Sequence, residues 1–134
     1  AFFTGESAGT GTIDQIFSRS RTLAVRSTGR PDGRGGLILT QFIREGSRPE
    51  RTRTWIMRPA GPGRYTGTLT EAVGPVTITT QGPRATIAYR TKDGLAVRQQ
   101  LALQADGRTL LNQLEVRRWG IRVASVRETI RRLP

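Results

Sequence analysis

Short alternating runs of apolar and polar residues, broken by turns rich in glycine and proline, dominate the chain. Arg53, Trp55 and Met57 alternate with Thr54 and Ile56; Tyr65, Gly67 and Leu69 alternate with Thr66, Thr68 and Thr70; Val76 and Ile78 alternate with Thr77 and Thr79. A period of two puts every second side chain on one face, so each run reads as a strand with a single dry face. Turn signals at 28–33, 45–47, 59–63, 74–75, 82–83, 92–94 and 105–107 recur at the short intervals that a meander of hairpins needs. Runs near 7–14, 20–28, 36–44, 51–58, 64–72, 75–81, 84–91, 95–104, 109–117 and 120–131 predict about ten strands.

One stretch carries a second periodicity. Val116, Trp119, Val123, Val126, Ile130 and Leu133 fall three and four apart with arginines between them, which is an amphipathic helix pattern. Gly120 and the β-branched Ile121, Val123, Val126, Thr129 and Ile130 oppose it, and strand is the preferred reading of 120–131. About ten strands are too many for one open sheet in 134 residues. Closure or a sandwich removes the exposed edges. The expected fold is therefore all-β: a single domain, 1–134, forming a closed or nearly closed antiparallel lipocalin-like barrel of about eight to ten strands.

Composition then narrows the chemistry. The chain has neither cysteine nor histidine, which excludes disulfides, thiolate catalysis, a Ser-His-Asp triad and His- or Cys-based metal sites. No metal and no cofactor is expected. Basic residues number 22 against 10 acidic, a formal charge of +12, and all but Lys92 are arginines. Such a chain is attracted to polyanions, including anionic membrane surfaces. The arginines run through nearly every segment, densest at 48–58 and 117–132, with no single patch standing out, so nucleic acid is not an expected partner. No apolar run approaches a membrane-spanning length, and the first residues lack the pattern of a secretory signal. Because the sequence begins at Ala1, a targeting segment could have preceded it.

Several short motifs then align with a known family. Arg53-Thr54-Trp55, Pro62-Gly63-Arg64-Tyr65-Thr66-Gly67, Val73-Gly74, Leu110-Leu111-Asn112 and Trp119-Gly120-Ile121-Arg122-Val123 follow one another in an order that resembles the bacterial lipoprotein family known as domain of unknown function 3833. The likeness runs from Phe2-Phe3-Thr4-Gly5 to the last strand. It implies a calycin-like barrel, export to the periplasm or anchorage in the cell envelope, and no established activity. The chain departs from the family at Thr40-Gln41-Phe42 and Gln99-Gln100-Leu101, where acids are expected, while Glu71 stands where a family acid would.

Most carboxylates, among them Asp32, Glu45, Glu50, Asp93 and Asp106, lie in turn-like sequence, where turn formation and pairing with arginine explain them. The glycines of 5–11 are not followed by the Gly-Lys-Ser/Thr of a phosphate loop, and alternate glycines in a strand mark close approach. The chain is expected not to be an enzyme. The stronger constellation is a one-face set of Arg53, Trp55 and Met57 with Tyr65 and, further on, Ile87 and Tyr89. Turned inward, it gives an apolar cavity with one cation, suited to an amphiphile with an acidic head. The alternative is a filled core in which Arg53 pairs with Glu71. Two functions follow: a cell-envelope carrier of a small apolar or amphiphilic ligand, with Arg53, Trp55, Met57, Tyr65, Glu71 and Tyr89 as its candidate residues, or an arginine-rich module that binds polyanions.

Overall fold

The computed structural model describes residues 2–134. Ten strands follow in chain order: β1 (Gly5–Gln15), β2 (Arg21–Pro31), β3 (Leu37–Glu45), β4 (Arg51–Pro59), β5 (Arg64–Leu69), β6 (Ala72–Gln81), β7 (Arg84–Thr91), β8 (Ala96–Leu103), β9 (Thr109–Arg118) and β10 (Ile121–Arg132). Each pairs antiparallel with its neighbours in sequence, and β1 pairs with β10 from Ser7 opposite Arg132 to Gln15 opposite Ala124. That last pairing closes the sheet and leaves no open edge.

Residues 120–131 lie in this sheet, since β10 pairs with both β9 and β1. The helix-like spacing there has two causes. The turn at 119–120 reverses the chain, and a register irregularity between Arg122 and Ala124 slips the alternation, so that Val123 and Ala124 both reach the interior side.

Inward-facing apolar residues form two clusters of unequal size. The larger, which includes Leu39, Trp55, Met57, Val76, Tyr89 and Leu110, fills one half of the barrel, with Phe2 and Phe3 packed against it. Trp55 on β4 and Tyr89 on β7 meet edge to face there, their ring centroids 5.8 Å apart. Two strands separate them along the sheet, so only its curling brings the rings together, and such a pair adds about 0.5–1.5 kcal/mol beyond the area it buries. The smaller cluster, Ile13, Leu23, Val25 and Ile43 with Val126, lines the other half without filling it. The loops at 16–20, 46–50, 70–71, 92–95 and 119–120 surround that half.

Gly67 marks the tightest contact between β4 and β5. A Cβ there would overlap the backbone carbonyl of Ile56, and backbone cannot swing aside as a flexible side chain can. Gly67→Ala should therefore destabilise the barrel by about 1–3 kcal/mol. Urea unfolding would show this as a lower midpoint at unchanged slope.

Candidate functional site

A row of inward positions crosses four consecutive strands: Ser7 stands opposite Ser27, Ser27 opposite Gln41, and Gln41 opposite Arg53. Trp55 pairs with Leu69, which carries Glu71, just beyond the end of β5, to the level of Arg53. From Ser27 to Glu71 these side chains bond along the row, while the buried Ser7 Oγ has no partner among the described residues. Gln41 Nε2 donates to Ser27 Oγ at 3.1 Å, and Gln41 Oε1 accepts from both Arg53 Nε and Trp55 Nε1 at 2.7 Å each. Arg53 Nη1 reaches Glu71 Oε1 at 2.7 Å, and the guanidinium lies 5.3 Å from the Trp55 ring centroid. On the opposite wall Asn112 of β9 faces Glu128 of β10, with Asn112 Nδ2 donating to Glu128 Oε1 at 3.0 Å.

Above this polar belt lies a cavity of about 300 Å³. Arg53, Glu71, Tyr89, Asn112 and Glu128 line its deep part, Ile13, Leu23, Val25, Ile43, Leu114 and Val126 its walls. Arg21, Glu45, Arg48 and Arg51 stand at the mouth, where Glu45 lies within 4 Å of all three arginines. Arg51 also bonds Glu71 at 3.0 Å. Burial works against the charge of Glu45, yet the bond and charge of Arg51, with Arg21 and Arg48, hold its carboxyl below the usual value. Burial pushes the Tyr89 hydroxyl up.

Glu128 differs from the other acids of the cavity because no arginine among the described residues pairs with it. Burial raises its carboxyl above the ordinary 4.5, and the Asn112 bond and the charge of Arg53 only partly offset this. Gly9 makes room for it, since a Cβ at that position would collide with the Glu128 carboxylate. Asn112 Oδ1 has no hydrogen-bond partner among the described residues, and neither does the buried Gln99 Nε2. Buried polar atoms without partners are rare enough to need a reason, and a ligand or an ordered water is a common one.

The structure distributes the residues singled out by sequence over three places. Arg53, Glu71 and Tyr89 line the cavity, and Trp55 lies directly beneath them. Met57 is 6 % exposed within the packed half. Tyr65 keeps the inward parity of Gly67 and Leu69 but sits at the start of β5, opposite Pro59, away from the cavity and 37 % exposed. Of the two readings of Arg53, the pairing with Glu71 is the one present, with Gln41 as a second partner, so no lone charge waits for an acidic head, although the cavity above it is not filled. Asn112 and Glu128 were missed in the sequence. Their only signal was a polar residue at an inward parity position, and Glu128 also lies in the one segment whose periodicity was ambiguous.

A ten-stranded closed antiparallel barrel, packed in one half and hollow with a polar floor in the other, is a lipocalin-like fold. The chain belongs to a family of proteins of unknown function, DUF3833, whose model matches residues 1–132. No curated protein matches it in sequence. Among solved structures it resembles Rv2717c from M. tuberculosis, at 17 % identity and a TM-score of 0.76, with 100 % of this chain and 94 % of that one covered. It also resembles the S-type phycobiliprotein lyase CPES from Guillardia theta, at 8 % identity and a TM-score of 0.74, covering 98 % of this chain and 88 % of that one. At such identities the likeness is one of fold.

Two substitutions probe the belt. Gln41→Leu strands the Trp55 and Arg53 donors together and should cost about 2–3 kcal/mol by thermal unfolding. For Glu128, a raised native value means that its contribution to stability is present below about 4.5 and is lost as pH rises through that native value. Glu128→Gln removes the loss, and its amide can donate to Asn112 Oδ1. The variant should gain about 1 kcal/mol at neutral pH, with the gain shrinking as the pH is taken below the ordinary carboxylate range.

Proposed function

We propose that this protein is a non-catalytic binding protein that carries a small amphiphilic molecule, its apolar body against the Ile13, Leu23, Val25 and Ile43 wall and an uncharged hydrogen-bonding head on the floor. One observation carries the reading: an apolar-walled cavity ends on a polar floor where Asn112 Oδ1 is buried without a hydrogen-bond partner among the described residues. A pocket with mostly apolar walls and a few convergent polar groups is the usual form of a small-molecule site. The volume is modest, room for about ten waters at liquid density, which suits a short chain or the end of a longer one. Catalysis is disfavoured because two arginines hold Glu71, leaving Glu128 as the one cavity carboxylate without such a partner among the described residues. The likeness to a barrel named as a phycobiliprotein lyase supports a fold able to accept a guest, although that name also describes catalysis in the other protein. A cell-envelope location belongs to the same proposal and rests on the resemblance to exported lipoproteins.

The head group separates this reading from one with an acidic ligand. A hydroxyl can donate to Asn112 Oδ1, whereas a carboxylate brings a second negative charge towards Glu128. In the Trp119→Phe background, where Trp55 is the sole tryptophan, titration with decanol should change the fluorescence saturably, and decanoate should bind more weakly. Asn112→Leu should weaken decanol about tenfold, the value of one hydrogen bond at about 1.4 kcal/mol, and added salt should change little. A silent Trp55 with either amphiphile up to the millimolar range would remove the carrier reading. Binding that falls steeply with salt would point to a polyanion site instead.

A further inference from the structure

Two neighbouring hairpins at the cavity mouth carry large apolar side chains into solvent. The loop between β1 and β2 holds Ile16, 51 % exposed, and Phe17, 100 % exposed. The loop between β9 and β10 holds Trp119, 89 % exposed, beside Ile121 at 62 %. They adjoin at the seam of the barrel, where Gln15 pairs with Ala124 and the Ile16 amide donates to the Val123 carbonyl at 3.0 Å. Isolated exposed apolar residues are ordinary, but four at adjoining tips form a patch that water does not favour.

The backbone makes the two aromatics more telling. Phe17 has φ 60° and Trp119 φ 51°; these are the only non-glycine residues at positive φ among the described residues. Bulky side chains are outliers in the left-handed region, where Gly or Asn is the usual choice. The fold therefore bears a local strain at each tip to display an aromatic ring that packs against no core.

Charge identifies the surface that such rings would meet. Between positions 14–21 and 115–122 stand Arg19, Arg21, Arg117, Arg118 and Arg122 against Asp14 and Glu115. Arg118 lies over the Trp119 ring, 5.9 Å from its centroid. Aromatic tips flanked by arginines match the boundary between the headgroups and acyl chains of an anionic bilayer, where amphipathic rings settle and basic residues meet lipid phosphate. We propose that the protein docks on anionic lipid bilayers through Phe17 and Trp119, with the arginines of the same two hairpins against the headgroups. The same hairpins supply Gln15, Val123 and Ala124 to the cavity wall. If the carrier reading above holds, on which this last step rests, docking turns the mouth towards the membrane and lets a ligand pass without crossing water.

The test is flotation with vesicles of phosphatidylcholine alone and of equal parts phosphatidylcholine and phosphatidylglycerol. The protein should float with the mixed vesicles only, less so at high salt, and the tryptophan emission should shift to the blue. The double variant Phe17→Asn/Trp119→Asn should lose at least tenfold in vesicle binding while its melting temperature holds or rises, because Asn relieves the strained φ at both tips. Arg117→Gln/Arg118→Gln should weaken binding severalfold. A double variant that floats as well as the parent, or a parent that ignores anionic vesicles, would overturn the proposal. So would concentration-dependent self-association in sedimentation that the double variant abolishes, because the patch would then be a face between two copies. Vesicle binding and decanol binding are read separately, so loss of either reading leaves the other standing.

Discussion

The pairing of β1 with β10 is the constraint on which the rest of the molecule depends. Without it the first and last strands would expose two rows of unpaired backbone groups, and the inward face of a flat sheet would stay wet. Closure gives that face an interior. It brings Trp55 to Tyr89 across two intervening strands and sets Glu128 against the glycine at position 9. The seam also holds together the two hairpin tips that carry Phe17 and Trp119. A closed sheet cannot slip by one residue without turning its apolar set outward, so the same closure fixes the register everywhere.

Within this frame the polar belt divides the barrel. Below it, aromatic and aliphatic side chains pack the interior, and Phe2 and Phe3 add to the packing. Above it the inward residues are mainly Val, Leu and Ile, too small to meet across the lumen, and a cavity remains. Burying charge is costly unless it is paired. The belt meets this by sharing: Gln41 Oε1 serves two donors, Arg53 reaches Gln41 and Glu71, and Glu71 serves both Arg51 and Arg53. Glu128 and Asn112 stand outside that arrangement. Their incomplete bonding makes the far side of the floor the reactive one, in the limited sense that hydrogen bonds are still to be made there.

Likeness to barrels at 17 % and 8 % identity follows from the way the fold is encoded. Alternation, turns and closure tolerate wide substitution as long as apolar residues keep the inward positions. A binding site tolerates far less, because single atoms decide what it accepts. Gln41 illustrates this. Gln41 keeps its place on the inner wall but offers a neutral amide, which accepts from Trp55 and donates to Ser27 at once, as a carboxylate could not.

The sequence by itself determined the class of fold, the strand boundaries to within a few residues and the inward parity of Arg53, Trp55, Met57 and Tyr89, because a period of two and glycine-bearing turns are local properties of the chain. It also offered the Arg53–Glu71 pair as one of two readings. Tertiary structure alone decided between that pair and a free cation, because Glu71 reaches Arg53 only through the pairing of β4 with β5. It alone placed Tyr65 outside the cavity, since parity gives the face of a strand but not the height along the barrel. Asn112 and Glu128 came together through the β9–β10 register, and the bulge that disturbs that strand also blurred its periodicity. The hollow itself has no local signature: whether inward side chains fill a barrel depends on the distance across it, which closure sets and no single strand records.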